Sequence, residues 1–579
     1  MKEKKKNLTV YLRPYRKEAV IAPLFKLLEA FFDLLVPLIV AAMIDTPYDG
    51  SRGRIILYFA ELILMAVLGL SCSVVAQYFA AKASVGYATT LRYELFSHVG
   101  KLSFSDLDRI GQSTLITRLT ADVNQIQTGL NMSLRLLLRS PFIVFGAAIM
   151  AAFISLKAAL IFVLAIPVLL AVTFLIMKLS IPLFSKSQAK LDTVTSLTRE
   201  NLTGVRVIRA FNREERSVRE FRESNDELTS VNLFVGKISA LLNPVTYVLI
   251  NIATVILIRR SAIQVELGEL GQGQVVALYN YMLQIIVELI KLASLIITIN
   301  KALACYRRVS TVMNTEEGMS YPENDPEKKE NTESVEFDSV SFTYPDGGKP
   351  SLENISFKAE KGKTVGIIGG TGSGKTTLIN LIPRYYDRTE GKVLVNGNDV
   401  KSYTKATINS LVSVVPQKAQ LFRGTIRSNM LLGNEGATDG EIWDALDKAQ
   451  AREIVEKKGG LDAPVEQNGR NFSGGQKQRL TIARALVKGG EILILDDSSS
   501  ALDFKTDADL RKAVRKIEGM TKFIVSQRIS SVKNADEILV LDRGMLVGKG
   551  THEELLKDNE IYRDIYYSQF PEERKEVKA

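Results

Sequence analysis

Cysteine and histidine are scarce, two of each in 579 residues. Cys72 falls inside an apolar run and Cys305 just after one, which argues against both a disulfide framework and a cysteine metal cluster. His98 and His552 are too few for most metal sites. Also missing is any basic stripe interleaved with aromatics, so the net charge of +10 does not read as a nucleic-acid surface. Basic loops beside membrane spans are the commoner source of such a surplus. No cleavable signal peptide is expected. Lys2, Lys4, Lys5 and Lys6 open the chain, but the first apolar run has no small-residue cleavage pattern and other runs follow it. Composition excludes disorder, collagen and a small disulfide scaffold.

What the chain does have is segregated apolarity. Hydrophobic residues make up 46% and charged residues 24%, with a mean hydropathy of +0.07. Apolar runs of roughly 20 residues, enough helix to cross a bilayer core, are confined to the sequence before about residue 310. Beyond about residue 330 none exceeds an ordinary strand. Periodicity places six spans at roughly 18–43, 55–80, 134–155, 158–180, 238–258 and 274–298. Short connectors alternate with two long ones of about fifty residues, which read as helical because Pro and Gly are few, as over 206–221. Arg199, Arg206, Arg209, Arg213, Arg216, Arg219 and Arg222 crowd the second long connection. The positive-inside rule then puts both termini and both long connections in the cytoplasm.

Charges occur within the spans: Lys26, Glu29 and Asp33 in the first, Glu61 in the second, Glu288 and Lys291 in the sixth. Such groups face a bundle interior or an aqueous cavity. The spacing of Lys26–Glu29 and Glu29–Asp33 reads as pairing on one helix face, whereas Glu288 reads equally as a structural partner or as part of a polar translocation path.

A polar stretch over 316–332 reads as a linker between a membrane domain (1–315) and a soluble domain (333–579). In the latter, the short apolar strand Val365-Gly-Ile-Ile runs into Gly369-Gly370-Thr371-Gly372-Ser373-Gly374-Lys375-Thr376, followed by the helical Thr377-Leu-Ile-Asn-Leu-Ile. Strand, G-x-x-x-x-G-K-[ST] loop and helix form a phosphate-binding loop. Backbone N–H groups freed by the glycines converge on phosphate oxygens, Lys375 reaches the β- and γ-phosphates, and Thr376 offers its hydroxyl to Mg²⁺. Further on, Ile492-Leu-Ile-Leu-Asp496 is an apolar strand ending in a carboxylate suited to hold Mg²⁺ through its water shell. These elements predict a site for a nucleoside triphosphate with Mg²⁺, and the resemblance described next implies ATP.

Between these elements lies Phe472-Ser473-Gly474-Gly475-Gln476, and here the chain resembles the ABC exporter half-transporters over nearly its whole length. The resemblance implies an N-terminal all-α six-helix transmembrane domain with long cytoplasmic extensions and a C-terminal α/β P-loop ATPase domain. It also implies roles for further residues. Tyr344 matches the aromatic that stacks on adenine. Gln417 matches the Q-loop glutamine that contacts Mg²⁺ beside Thr376 and Asp496. Residues 472–476 match the signature that closes over ATP on an opposite subunit, and Asp503 the D-loop. Two coupling helices are expected near 105–111 and 209–213.

Three positions depart from that family pattern. Asp497 stands where a water-polarising glutamate is usual, one methylene shorter, and a retreat of roughly 1 Å can cost about a hundredfold in rate. Gln527 stands where a switch histidine is usual; it donates a hydrogen bond but cannot ionise, while His552 lies in a later element with no assigned catalytic role. Ala463-Pro-Val-Glu-Gln-Asn-Gly469 replaces the charged segment that usually precedes the signature. Together these suggest a site that binds ATP and hydrolyses it poorly, hence a heterodimer whose other half carries the competent Glu and His.

The expectation is therefore a prokaryotic plasma-membrane exporter of amphipathic small molecules, drugs foremost, in contact with lipid and not with nucleic acid. About seventeen residues before the first span leave no room for an N-terminal peptidase domain. Two alternatives stand beside this reading: a homodimeric exporter of lipid or peptide with slow ATPase, and an ATP-gated regulatory membrane subunit. An importer is disfavoured because importers usually keep the two modules on separate chains, and the spans exclude a soluble ABC protein.

Overall fold

The computed structural model describes residues 7–47, 52–316, 318–329, 332–345, 347–498 and 502–573. They divide into two compact units, one of Met1–Gly100 with Ser113–Thr315 and one of Lys101–Gln112 with Glu316–Ala579.

The first unit is helical. Its six long apolar segments are Leu8–Ile44, Arg52–Val99, Gln112–Ile154, Leu156–Thr203, Glu214–Glu266 and Gln272–Met313, and each matches one of the expected spans, the third ending one residue short of the expected 155. Hydrocarbon offers no partner to a backbone N–H or C=O, so a spanning segment must satisfy its own, as a helix does. The helices outrun their apolar windows. In Arg52–Val99 the buried positions Ala76, Ala80, Ala83, Tyr87, Leu91, Leu95 and His98 recur every three or four residues. That stripe keeps one face packed long after mean hydropathy has fallen. Small residues let the helices approach closely: a Cβ on Gly129 would lie 2.3 Å from the Ala302 Cβ.

Of the charges noted within the spans, all but Glu61 are gathered in one cluster. Arg139, which hydropathy reading passed over, sets its guanidinium against Asp33 (2.9 Å), Glu288 (2.5 Å) and Glu29 (3.9 Å). Lys26 pairs with Glu29 at 2.5 Å, Lys291 with Glu288 at 2.9 Å, and the Ser140 hydroxyl donates to Glu288 at 2.8 Å. Glu288 is thus a structural partner: both its oxygens are engaged and its side chain is 3% exposed. Three carboxylates and three cations balance, which is what makes their burial tolerable. Tyr281 adds a second tie, donating to the Leu34 carbonyl at 2.6 Å.

The second unit holds two principal sheets. The larger runs in space Met545–Gly550, Glu537–Asp542, Thr364–Gly369, Thr521–Val525, Ile492–Asp496, Val412–Val415, and all its neighbours are parallel except the first pair. Thr364–Gly369 and Ile492–Asp496 are buried at every position, as strands covered on both faces must be. A four-stranded antiparallel sheet, Leu352–Glu360, Glu333–Phe342, Glu390–Val395 and Asn398–Asp399, shares a core with it through Phe337, Phe357 and Ile367.

Two details differ from the sequence reading. Part of the supposed linker packs on this unit: Tyr321 lies under the Arg384 guanidinium at 4.5 Å, and Asp325 accepts from the Thr404 N–H at 2.9 Å. The short helix Phe104–Ile110, capped by Ser103 and ended at Gly111, belongs to the second unit as well. Its Phe104 ring is 4.6 Å from that of Tyr385, and Tyr386 donates to Asp108 at 2.6 Å. The other short helix is Val205–Ala210, earlier than the expected 209–213, because Asn212 takes φ +53 and ends it.

Removing Arg139 leaves three carboxylates to two cations inside the bundle, one uncompensated negative charge, a loss of up to about 3–5 kcal/mol. Arg139→Met should therefore melt well below the wild type in nanodiscs, and Arg139→Met with Glu288→Met should recover much of the difference. Equal melting of the single variant and the wild type would contradict the network.

Candidate nucleotide site

The site forms where parallel strands end. Thr364–Gly369 runs straight into the glycine loop, and the chain re-enters helix at Lys375–Leu381. Gly374 sits at φ +98, a conformation costly for any other residue, so the loop turns its N–H groups inward. Lys375 folds over it, donating to the Gly369 carbonyl at 2.9 Å and the Gly370 carbonyl at 2.7 Å.

From the strand two places along the sheet, beyond Thr521–Val525, Asp496 brings its carboxylate to 3.2 Å from Thr376 Oγ1. Burial pulls the Lys375 amine below its usual range and pushes the Asp496 carboxyl above its own, the adjacent Asp497 adding to the latter. Each of these groups gains from a counter-charge of the kind a nucleotide and its metal supply.

Asp497 follows with φ +43, held by its N–H donating to the Val525 carbonyl at 2.9 Å. Aspartate is one of the few side chains that tolerate this left-handed conformation. Its carboxylate stands 3.5 Å from Gln417 Nε2. Thr371 to Thr377, Gln417, Asp496, Asp497 and Gln527 together line one cleft of about 600 Å³.

Other expected residues lie apart from that lining. Tyr344 stands to one side, its hydroxyl 3.2 Å from Thr377 Oγ1 and its ring edge-on to Phe342 and Tyr386. Ser473 caps the helix Gly474–Lys488, its hydroxyl accepting from the Gln476 N–H while the Gln476 side chain accepts from the Ser473 N–H. Ser473 and Gly474 are exposed at that helix start, and Gly475 follows them in its first turn. Phe472 is buried, with the Lys458 ammonium 5.1 Å from its ring. Asp503 caps Phe504–Arg515 by accepting from the Thr506 N–H at 3.0 Å. His552 is structural, its Nδ1 2.7 Å from the Tyr562 hydroxyl.

Lys349, Ser351, Arg543 and Gly544 also line the cleft, and nothing in the linear sequence ties them to it. Arg543-Gly544 forms a two-residue hairpin turn with both φ positive. The turn is legible as Asp-Arg-Gly. Its position is not, since the Gly544 N–H reaches the Ser373 carbonyl only in the fold.

Among the described residues no group of three or more His, Cys, Asp or Glu could hold a metal ion alone. A hydroxyl and one carboxylate beside a phosphate loop instead match the sparse oxygen set of Mg²⁺, whose remaining ligands come from phosphates and water.

Comparison with known proteins agrees with this geometry. Residues 19–289 match the family model of the ABC transporter transmembrane region and residues 352–500 that of the ABC transporter. An uncharacterised ABC transporter ATP-binding protein of Mycobacterium tuberculosis is 35% identical over 570 residues, 97% of each chain. An ATP-dependent lipid A-core flippase of Hahella chejuensis is 30% identical over 573 residues, covering 98% of this chain and 97% of that one. The solved structure of a bacterial Atm1-family ABC exporter with ATP bound superposes with a TM-score of 0.81 at 25% identity, covering 96% of this chain and 99% of the other. A multi-pass membrane unit, a phosphate loop at the ends of parallel strands and these likenesses have one reading: the chain belongs to the ABC transporter family, as an ATP-driven exporter half-transporter that joins a six-helix membrane domain to an ATPase domain.

Proposed function

We propose that this chain is one half of a heterodimeric exporter of amphipathic small molecules, and that its own Walker site binds ATP and hydrolyses it slowly. The observation that carries the proposal is the joint placement of Asp497 and Gln527 on the cleft that Lys375 and Thr376 line. Lys375 and the loop amides hold the phosphates, and Thr376, Asp496 and Gln417 hold Mg²⁺, whose charge offsets that of the phosphates. Asp497 has the chemistry to orient a water but a shorter reach than glutamate. Gln527 donates to the γ-phosphate and cannot carry a proton away. Ser473, Gly474 and Gly475, on an exposed helix start, serve the partner's ATP, where backbone N–H groups and the helix dipole favour anions.

ATP binding closes the nucleotide domains and shifts the spans to an outward-open state, which requires ATP to prefer the closed dimer. Basic loops put both termini on the cytoplasmic side of a prokaryotic plasma membrane. A second reading is a homodimer that moves lipid, favoured by the relative named as a lipid A-core flippase.

Two experiments separate these readings. The full chain alone in nanodiscs should hydrolyse ATP very slowly, and Asp497→Glu with Gln527→His should raise the rate by about 10- to 100-fold; brisk turnover by a stable wild-type homodimer supports the second reading instead. Ser473→Asp keeps a good helix cap but sets a negative charge against the partner's γ-phosphate. It should abolish hydrolysis at the partner's site without lowering the melting temperature, and an unchanged rate would refute the assigned dimer geometry.

A further inference from the structure

The turn that carries Gln527 leaves the strand Thr521–Val525 and enters the short helix Ile529–Val532. Gln527 itself is exposed, and no helix or strand holds its backbone. Its carbonyl is nonetheless engaged, and the partner comes from 42 residues further along the chain. Gln569 Nε2 donates to the Gln527 carbonyl at 2.8 Å, and the Ile529 N–H donates to Gln569 Oε1 at 2.9 Å. One carboxamide thus closes both backbone groups of the turn, donor to acceptor and acceptor to donor, as a neighbouring strand would.

Gln569 is itself exposed, but the helix that carries it is well anchored. Gln569 is the last residue of the helix Glu560–Gln569. Tyr562 and Tyr566 of that helix are buried in one core with Ile529, Val532, Ile538 and Val540. Tyr562 is also tied to His552 at 2.7 Å, and the Phe570 ring lies 5.0 Å from that of Tyr566 just past the helix end. The carboxamide is therefore presented from a rigid support, the condition under which a contact can fix its neighbour's geometry. On the other side of the turn, Ser526 is held by its N–H donating to the Ile367 carbonyl at 3.1 Å. Gln527 sits between a sheet anchor and a helix anchor.

We infer that Gln569 is a positioning residue for the nucleotide site: its two backbone hydrogen bonds set where the Gln527 side chain points into the cleft, so the C-terminal helix governs how the site distinguishes ATP from ADP. This rests on the reading that Gln527 meets the γ-phosphate. Lys375, Thr376 and Asp496 stand on other elements and do not depend on the clamp.

The test is nucleotide affinity of the full chain in nanodiscs, using a slowly hydrolysed ATP analogue and ADP, both with Mg²⁺. Gln569→Ala should weaken the ATP analogue about 3- to 10-fold, the range expected for one or two lost hydrogen bonds, and leave ADP within twofold. Gln569→Glu, of the same shape, keeps the acceptor for Ile529 but turns an oxygen toward the Gln527 carbonyl, so it should lose at least as much. In a Gln527→Ala background, Gln569→Ala should add nothing, because the two act as one unit. Parallel loss of both nucleotides would mean a merely structural role, and wild-type behaviour of Gln569→Glu would show that the bond to Gln527 does not matter; either overturns the inference. If Gln527→Ala itself leaves ATP and ADP unchanged relative to one another, the γ-phosphate reading of Gln527 fails, and the inference falls with it. If Gln527→Ala shifts that ratio and Gln569→Ala does not, only the clamp fails.

Discussion

Arg139 is the group on which the membrane unit turns. A guanidinium inside a bilayer-spanning bundle is tolerable only with its charge matched at hydrogen-bond distance, and it finds that match on two other helices. Asp33 lies 106 residues before it and Glu288 149 residues after, so the requirement fastens together the first, third and sixth long helices. Lys26 and Lys291 then neutralise the acid that Arg139 alone does not cover. Dispersion packing between apolar helices has no preferred register, whereas a paired charge has one position. The surrounding Ala and Gly positions, such as Gly129 against Ala302, let the helices come close enough to use it.

The ATPase unit follows a different rule with the same outcome. Parallel strands end on one side of the sheet, and that edge is where loops converge and ligands bind. Thr364–Gly369 delivers the phosphate loop there, Ile492–Asp496 a carboxylate and Thr521–Val525 the turn with Gln527, all on adjacent strands. The positive φ of Asp497 is secured by its bond to Val525 on the next strand. The Asp497 side chain, which lines the cleft, is thus aimed by sheet pairing. The Gln527 turn leaves that sheet, and its carbonyl is held from the C-terminal helix.

Much of this was legible in the linear sequence because the signals are local. Each expected span matches one long helix, since a run of apolar residues needs no distant partner to demand burial. The phosphate loop was readable because its glycines, lysine and threonine act within a few residues of one another. Hydropathy marks only the apolar part of each helix: it stops near residue 80 in the second, and the helical reading of the long connection covers the buried stripe that runs on to His98. Segment 101–112, read as a coupling element of the first long connection, forms the helix Phe104–Ile110, and only the fold shows which residues Phe104 and Asp108 meet.

The sequence by itself determined the six helices, the P-loop ATPase module and the residue types at 497 and 527, because hydrophobic period and phosphate geometry act over short stretches of chain. Tertiary structure alone decided that Glu288 is a paired structural acid, that Arg139 joins three helices, that Arg543 and Lys349 border the nucleotide cleft, and that Gln569 holds the turn beneath Gln527. Each of these is an interaction between groups far apart in the chain. Its strength depends on distance, burial and donor direction, quantities that have no value until the backbone has folded.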